Sequence, residues 1–403
     1  MATLLFGKIY YQNIFAGFLR QEAGFGSSFE YDTSYLQDNN NPPISHSLPL
    51  QNGPHVFQTE LPPFFDNLVA EGWLEQAQAR LLGKRLISRF ELLLAFGHDC
   101  AGAVSVVDPN PEKISDALID VTNPKELALL TSRASLSGIQ PKLAIIEKQG
   151  IFYPVQANQL STHIAKFPSS HHADLVANEY LTTLAFKTLL PGEDLVEMHI
   201  GNIYGFNEDS LIIKRFDRDN GKSLHFEEFN QILNQPSNNK YFGSYETMAD
   251  FLRSTPGCLP TEVYHLYLRI LAGFLLGNTD MHLKNFAMFH TVNGLRLTPA
   301  YDQVAAVLYG YNQLALGIGN RENLIINDLN PNDIISLGKE FGLNNQAIMM
   351  AFQTLEKNVA TAQFAITNAG FGSRGLKRIM VELVDKIWNK TFSSIGQILS
   401  QKR

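Results

Sequence analysis

The chain runs to 403 residues, too long for one hydrophobic core of ordinary size, so two or three domains are expected. Its composition, 45% hydrophobic and 18% charged, is ordinary for a globular protein. A formal charge of -7 argues against a surface that holds nucleic acid unaided, because neutralising phosphates needs a basic stripe; a local patch or a basic partner stays open.

Cys100 and Cys258 are the only cysteines, which removes a disulfide framework and a cysteine metal site and fits a reducing cytosol. The amino terminus, "MATLLFGKIYYQ", has no basic stretch ahead of its apolar run, so no secretory signal is expected. The longest uncharged stretch, "QVAAVLYGYNQLALGIGN", is broken by Gln, Asn and three Gly, so it reads as packed core near a loop and no membrane span is expected.

Along residues 1 to 107 the runs "LLFGKIYY", "FAGFLR" and "FEYDTSYL" are strand-like, and a turn-rich stretch dense in Asn and Pro follows. The apolar spacing of "FFDNLVAEGWLEQAQARLLGKR" is helical. The polar, proline-bearing "DPNPEK" marks a boundary between a first domain, 1–107, and a second, 114–228. Within the second, "KLAIIE", "THIAKF" and "SLIIKRF" are short β-rich runs, and "ADLVANEYLTTLAFKTLLPG" is a helix stopped by Pro191 and Gly192. Residues 229–403 are mostly helical, with "PTEVYHLYLRILAGFLLG", "NNQAIMMAFQTLEKNVATAQFAI" and "GLKRIMVELVDKIWNKTFSSIGQIL" as the clearest helices. A small sheet with one helix followed by a helical half is a two-lobe plan, and ligands favour clefts in such plans.

The chemistry concentrates in "GNTDMHLKNF". Asp280 and Asn285 stand five positions apart, the separation of the protein-kinase catalytic loop, where an Asp accepts the proton of the attacking hydroxyl and an Asn holds a magnesium ion. Downstream, "LTPAYDQVAA" puts Asp302 after a short apolar strand, where kinases keep a second metal-binding Asp. Phosphoryl transfer needs such a set because charge spreads over the phosphate oxygens, and magnesium held by carboxylate and amide oxygens neutralises it. The same ten residues also suit a helix cap and turn.

Lys166 in "HIAKF", followed thirteen residues later by Glu179, repeats the lysine and helix-glutamate pair that orients nucleotide phosphates; alone it would read as an edge-strand lysine with its head in water. The stretch "SRASLSGIQPKLAII" precedes it, with Ser135, Ser137, Gly138 and Lys142. By spacing this is an ordinary turn, although backbone amides of a Ser/Gly loop can bind phosphate. His171, His172 and Asp174 read either as a metal group or as a solvated turn. The aromatics of "YFGSYETM" and around Trp73 read as core or interface.

Taken in order, "SLSGIQPKLAI", "HIAKFP", "NEYL", "LIIKRFDR", "GNTDMHLKNF" and "LTPAYD" resemble the HipA-like bacterial toxin kinases. "SLPL", "FFDNLVAEG" and "GHDCAGAV" resemble that family's amino-terminal subdomain, so the likeness spans nearly the whole chain. It implies an α+β, two-lobed protein-kinase-like fold with an added amino-terminal α/β subdomain and a mostly helical carboxy-terminal lobe. It also implies a serine/threonine protein kinase using ATP and Mg2+, which in studied members targets aminoacyl-tRNA synthetases. The implied partner is a HipB-like helix-turn-helix antitoxin that represses the operon, with operator DNA met mainly through that antitoxin.

Position by position, the resemblance makes Asp280 the proton acceptor and Asn285 and Asp302 the magnesium ligands. His282, Lys284 and Tyr301 join the phosphate side of the site, and Lys166 contacts the phosphates. Ser137, Gly138, Ile139, Gln140, Pro141 and Lys142 form the nucleotide loop. Lys214, Arg215 and Phe216 form the hinge, with backbone groups of Lys214 and Phe216 facing adenine and Asp217 as a structural neighbour. Autophosphorylation falls on Ser135 or Ser137, because Ser137 adds a second hydroxyl at that place; the added charge, about two units negative, would repel bound ATP and expel the loop. Pro141 stands where the family commonly has an acidic residue. Two other functions remain open: a kinase-fold corepressor acting with its antitoxin on DNA, where the basic pair of "GLKRIM" would lie, and a small-molecule kinase on a related fold.

Overall fold

A computed structural model describes residues 4–83, 87–111, 140–156, 159–169 and 171–401. The chain divides into two compact units, Met1–Pro168 with Glu197–Lys240, and Ser169–Val196 with Tyr241–Arg403.

The first unit holds two five-stranded antiparallel sheets. In the first, β1 (Phe6–Tyr11), β2 (Ile14–Gln21), β3 (Ser27–Tyr31), β4 (His55–Phe57) and β5 (Val104–Val107) lie in the order β4-β3-β2-β1-β5. Alternation along β1 buries Ile9 and Tyr11, as a half-buried strand requires. The strand reading of "FEYDTSYL" holds only to Tyr31. Asp32 then accepts the Ser34 N–H at 2.9 Å and starts a short helix, α1 (Thr33–Gln37).

The helical stretch from Phe64 onward is two pieces, α2 (Pro63–Asp66) and α3 (Gly72–Leu81). The break follows Asn67, whose side-chain amide donates to Pro63 O at 2.8 Å and to Gln235 O at 2.9 Å. After α3, α4 (Arg89–Phe96) starts on a reciprocal Ser88–Glu91 capping box. Phe64, Phe65, Phe90 and Leu93 share one core with Ile9, Leu19 and Phe29 of the first sheet and with Leu143, Ile145 and Ala165 of the second.

The second sheet contains β6 (Lys142–Lys148), β7 (Ile151–Pro154), β8 (His163–Lys166), β9 (Met198–Gly201) and β10 (Ser210–Lys214), in the order β7-β6-β8-β10-β9. All three β-rich runs expected here are therefore strands. Beyond β10, a two-residue hairpin of β11 (Arg218–Asp219) and β12 (Lys222–Ser223) leads to β13 (Phe226–Glu228).

The second unit is mainly helical. α5 (Leu175–Leu189) occupies the predicted helix and, although flanked in sequence by strands of the first unit, groups with this one. α6 (Tyr245–Ser254) and α7 (Thr261–Leu275) follow, then a hairpin of β14 (Ala287–Thr291) and β15 (Gly294–Leu297). α7 is buried over nearly its whole second half, Leu266 to Leu275, which is why its sequence is almost continuously apolar. The remaining helices are α8 (Pro331–Glu340), α9 (Asn345–Asn368), α10 (Arg374–Ile387) and α11 (Ile395–Gln401); Asn330, Asn344 and Ser373 cap the first three.

The basic pair of "GLKRIM" is only half solvated. Lys377 donates to Ala369 O at 2.6 Å, closing the carboxy-terminal end of α9, while Arg378 is exposed beside Glu382. The "QVAAVLYGYNQLALGIGN" stretch is indeed core beside loop, with Ala305, Leu314, Leu316 and Ile318 buried. Among the described residues, no helix is long and apolar enough to cross a membrane.

Candidate active site

The loop after α7 is shaped by two glycines. Gly273 faces the loop so closely that a Cβ there would sit 2.1 Å from the Met281 sulfur. Gly277 turns the chain out of the helix at φ 73°, a conformation that L side chains rarely adopt. From Ala272 through Lys284 every residue is buried except Asp280, whose carboxylate is exposed. Fixed, buried flanks around one exposed carboxylate make a presented acid rather than a solvated turn.

Buried Asn278 ties this acid to the second one. Its Oδ1 accepts the Asp280 N–H at 3.2 Å, and its Nδ2 donates to Asp302 O at 3.4 Å and to Gln303 Oε1 at 3.3 Å. Asn285 Nδ2 donates to Asp280 O at 3.0 Å, and the His282 N–H donates to the same carbonyl at 2.9 Å. Tyr301 donates to Lys284 O at 2.8 Å, and Gln303 Nε2 to Tyr301 O at 2.8 Å. The two loops carrying "TDMHLKN" and "AYDQ" are thus joined by side chain to backbone bonds. His282 and Lys284 are buried within this framework.

Asp302 has φ 53°, left-handed for a residue with a Cβ, although Asp is among the residues that tolerate it. Such backbone costs on the order of 1 kcal/mol and persists where surrounding contacts determine it. Those contacts begin upstream. Thr298 N–H donates to Ala287 O at 2.9 Å, Ala300 N–H to Asp194 O at 2.8 Å, and Arg269 Nη1 to Thr298 O at 2.6 Å. Arg269 and His265 in turn share the Glu193 carboxylate, at 2.6 and 2.5 Å. Burial opposes ionisation of Glu193, but the His265 and Arg269 bonds hold its pKa below the usual value; the bond to Glu193 raises that of His265 despite burial.

The donor set suits a hard divalent cation. Asp302 offers carboxylate oxygens, and Asn285, with its amide nitrogen engaged on Asp280 O, offers Oδ1. Oxygen-only ligands are what magnesium takes.

In the first unit, Lys142 and Lys166 are register partners on β6 and β8, so their side chains leave the same face of the sheet, and both are buried. Pro141 O accepts the Phe167 N–H at 2.9 Å, and Gln140 Nε2 donates to Phe167 O at 3.1 Å, fixing the approach to β6. Ser135, Ser137, Gly138 and Ile139 lie outside the described residues.

At the expected hinge, the Lys214 N–H donates to Glu197 O and the Arg215 N–H to Thr162 O, each at 2.9 Å. The Lys214 ammonium is exposed and bridges both Glu197 oxygens at 3.1 Å. The Arg215 guanidinium enters a buried network instead, donating to Asp217 at 2.9 and 2.6 Å, Ser161 Oγ at 2.8 Å, Cys100 O at 2.8 Å and Asp99 at 3.3 Å. Arg218 joins Asp99 and Asp217 at 2.7 and 2.8 Å. Burial alone would raise the carboxyl pKa values, but Arg215 and Arg218 hold both Asp99 and Asp217 below the usual range.

Three residues of this constellation escaped sequence reasoning. Asn278 and Gln303 stand inside the quoted motifs but look like any polar loop residue. Tyr241, whose hydroxyl donates to Asp280 Oδ1 at 3.0 Å, stands far upstream in a stretch read as core or interface. His171 and His172 lie in a turn, with His172 Nε2 3.2 Å from the Tyr311 hydroxyl, as the solvated-turn reading has it.

Comparison with known proteins agrees with this architecture. Serine/threonine-protein kinase toxin HipA of Shewanella oneidensis is 28% identical over 311 residues, covering 68% of this chain and 70% of that protein. Y4dM of Sinorhizobium fredii is 26% identical over 359 residues, covering 82% and 84%. The solved complex of Shewanella oneidensis HipA with HipB and operator DNA superposes with TM-score 0.74 at 21% identity, over 97% of this chain and 99% of that one. It establishes the α+β, kinase-like fold. The family model of the HipA N-terminal domain matches residues 7–107 and that of the HipA-like C-terminal domain residues 134–363, and on these two matches the chain belongs to the HipA family of kinase-like toxins.

Proposed function

We propose that this chain is an ATP- and Mg2+-dependent serine/threonine protein kinase toxin. The observation that carries the reading is the presented Asp280, held with Asp302 by one buried asparagine and flanked by Asn285. Bound Mg-ATP supplies the phosphoryl group and the cation charge that neutralises it. Asp280 takes the proton of the attacking serine or threonine hydroxyl at a carboxylate oxygen. Asn285 and Asp302 hold the cation, Lys142 and Lys166 meet the phosphates, and His282, Lys284 and Tyr301 keep the loop in register. Backbone groups of Lys214 and Phe216 face adenine, with Arg215 anchoring that segment through its buried network.

The finer reading follows family resemblance and the relatives' names. The substrate is a protein, an aminoacyl-tRNA synthetase, whose phosphorylation stops translation. Phosphorylation of Ser135 or Ser137 silences the enzyme by charge repulsion against bound ATP. A HipB-like antitoxin neutralises it and carries it to operator DNA, a reading supported by the solved complex of Shewanella oneidensis HipA with HipB and operator DNA.

The test is phosphosite mapping by mass spectrometry after incubating the purified chain with ATP and magnesium, beside an Asp280→Asn copy. Phosphate on Ser135 or Ser137 in the parent alone is the expected result. No phosphate in either, on protein that arrives unmodified, removes the kinase reading and leaves the corepressor.

A further inference from the structure

We infer that Asn178 is a positioning residue for the metal-bearing segment, its side-chain amide fixing the backbone three residues beyond Asp302. This rests on the kinase reading above. Asn178 Oδ1 accepts the Ala305 N–H at 2.9 Å, and its Nδ2 donates to Ala305 O at 3.2 Å. One amide thus takes both backbone groups of one residue, which orients the two peptide planes that flank it. Thr182, one turn further along α5, donates its hydroxyl to Asn178 Oδ1 at 3.0 Å and receives the Ala305 N–H at 3.2 Å.

Asn is a poor helix former, and a buried amide costs stability unless its bonds are made, yet Asn178 and Thr182 stand inside α5 fully buried. An apolar residue would serve that interior better if the Ala305 backbone needed no partner. At the other end of the run, Asp302 O accepts from buried Asn278 at 3.4 Å. Residues 302 to 305 are therefore held at both ends, by Asn278 before the acid of the loop and by Asn178 from α5. Just beyond, the Val307 N–H donates to Gly277 O at 3.2 Å, so the held segment also closes on the turn that leads to Asp280. The left-handed φ of 53° at Asp302 persists only where the chain around it is determined, and a ligand carboxylate must be held to within roughly 0.5 Å. Asn178 supplies that constraint on the downstream side.

The experiment compares the full chain with Asn178→Ala and with Thr182→Val, which keeps the shape at 182 and the Asn178 amide while removing one hydroxyl. Read-outs are the urea midpoint, amide hydrogen exchange over residues 301–306, binding of Mn2+ in place of Mg2+ with a non-hydrolysable ATP analogue, followed by electron paramagnetic resonance, and ATP-dependent phosphate incorporation. Asn178→Ala is expected to exchange faster at Ala305, to bind Mn2+ about 10-fold more weakly and to incorporate phosphate about 10-fold more slowly, the size seen when the support of a metal ligand is removed. Thr182→Val should move the same quantities in the same direction by about 3-fold, as one neutral hydrogen bond does. A purely structural asparagine would lower the urea midpoint and leave Mn2+ binding by the folded protein unchanged, and that result overturns the inference alone. Where Asn178→Ala does not fold, Thr182→Val decides: unchanged exchange and Mn2+ binding overturn the inference. A parent that incorporates no phosphate overturns it together with the kinase reading.

Discussion

Replacing Asp99 with Ala tests the buried network around Arg215 and Arg218. Its carboxylate accepts from Ser161 N at 3.0 Å, Ser161 Oγ at 2.7 Å, Arg215 Nη1 at 3.3 Å and Arg218 Nη2 at 2.7 Å. Ser161 and Arg215 are buried and the Arg218 side chain is nearly so, and the variant therefore leaves two guanidiniums facing the single carboxylate of Asp217, with Ser161 deprived of its acceptor. Removing one partner from a buried ion pair costs about 3–5 kcal/mol, because the remaining charge stays desolvated.

The assay is urea unfolding followed by tryptophan fluorescence in a Trp388→Phe background, where Trp73 of the first unit is the sole reporter. With a slope of roughly 2–3 kcal/mol per molar urea, the midpoint should fall by about 1–2 M. Folded-state pKa values of Asp99 and Asp217 are depressed, so their contribution is present above the unfolded carboxylate value, near 4, and is lost as pH falls through the folded values. The gap between parent and variant should therefore close in acid. A shift worth less than about 1 kcal/mol, or a gap that persists unchanged into acid, refutes the network as an ionic clamp.

Two further outcomes follow from the second unit. Gly277→Ala must accept φ 73° and a Cβ 2.6 Å from Val307 Cγ1 and 2.8 Å from Leu383 Cδ2; a loss of about 2–4 kcal/mol is expected in a Trp73→Phe background, together with lost phosphate incorporation. Unchanged stability would show that the loop can be reached without a glycine turn. His265 has a raised folded pKa through its bond to Glu193, so its contribution is full below the unfolded value, near 6.5, and is lost as pH rises through the folded one. Accordingly, parent stability should decline as pH rises above about 6.5 and a His265→Gln variant should lack that decline; an NMR titration of His265 with its midpoint at or below 6.5 would remove the argument.

Much of the site could be read from the chain because its chemistry is local. Asp280, His282, Lys284 and Asn285 share one six-residue stretch, and a run as apolar as α7 immediately before them announces a buried helix that ends on a presented loop. Periodicity likewise marks β6, β8 and β10 and the long helices, since each pattern is fixed by which face is buried. It overran at Asn67, where a side chain bonding the carbonyls of Pro63 and Gln235 ends the helix, and at Asp32, where a strand-like run turns into a capped helix. Both are contests between side chain and backbone that hydrophobic spacing does not register.

Sequence by itself determined the residue types and their order, since these stand within a few turns of chain, while the exposure of Asp280 between buried flanks was decided by the structure. Only the tertiary structure decided which distant groups meet. The same register that pairs β6 with β8 sets Lys142 beside Lys166, and a fold-wide path brings the Tyr241 hydroxyl to Asp280. Arg215 shows the reason most plainly. Its neighbours Asp99, Cys100 and Ser161 are remote in sequence, and a guanidinium that is buried must satisfy its donors from whatever the fold delivers there.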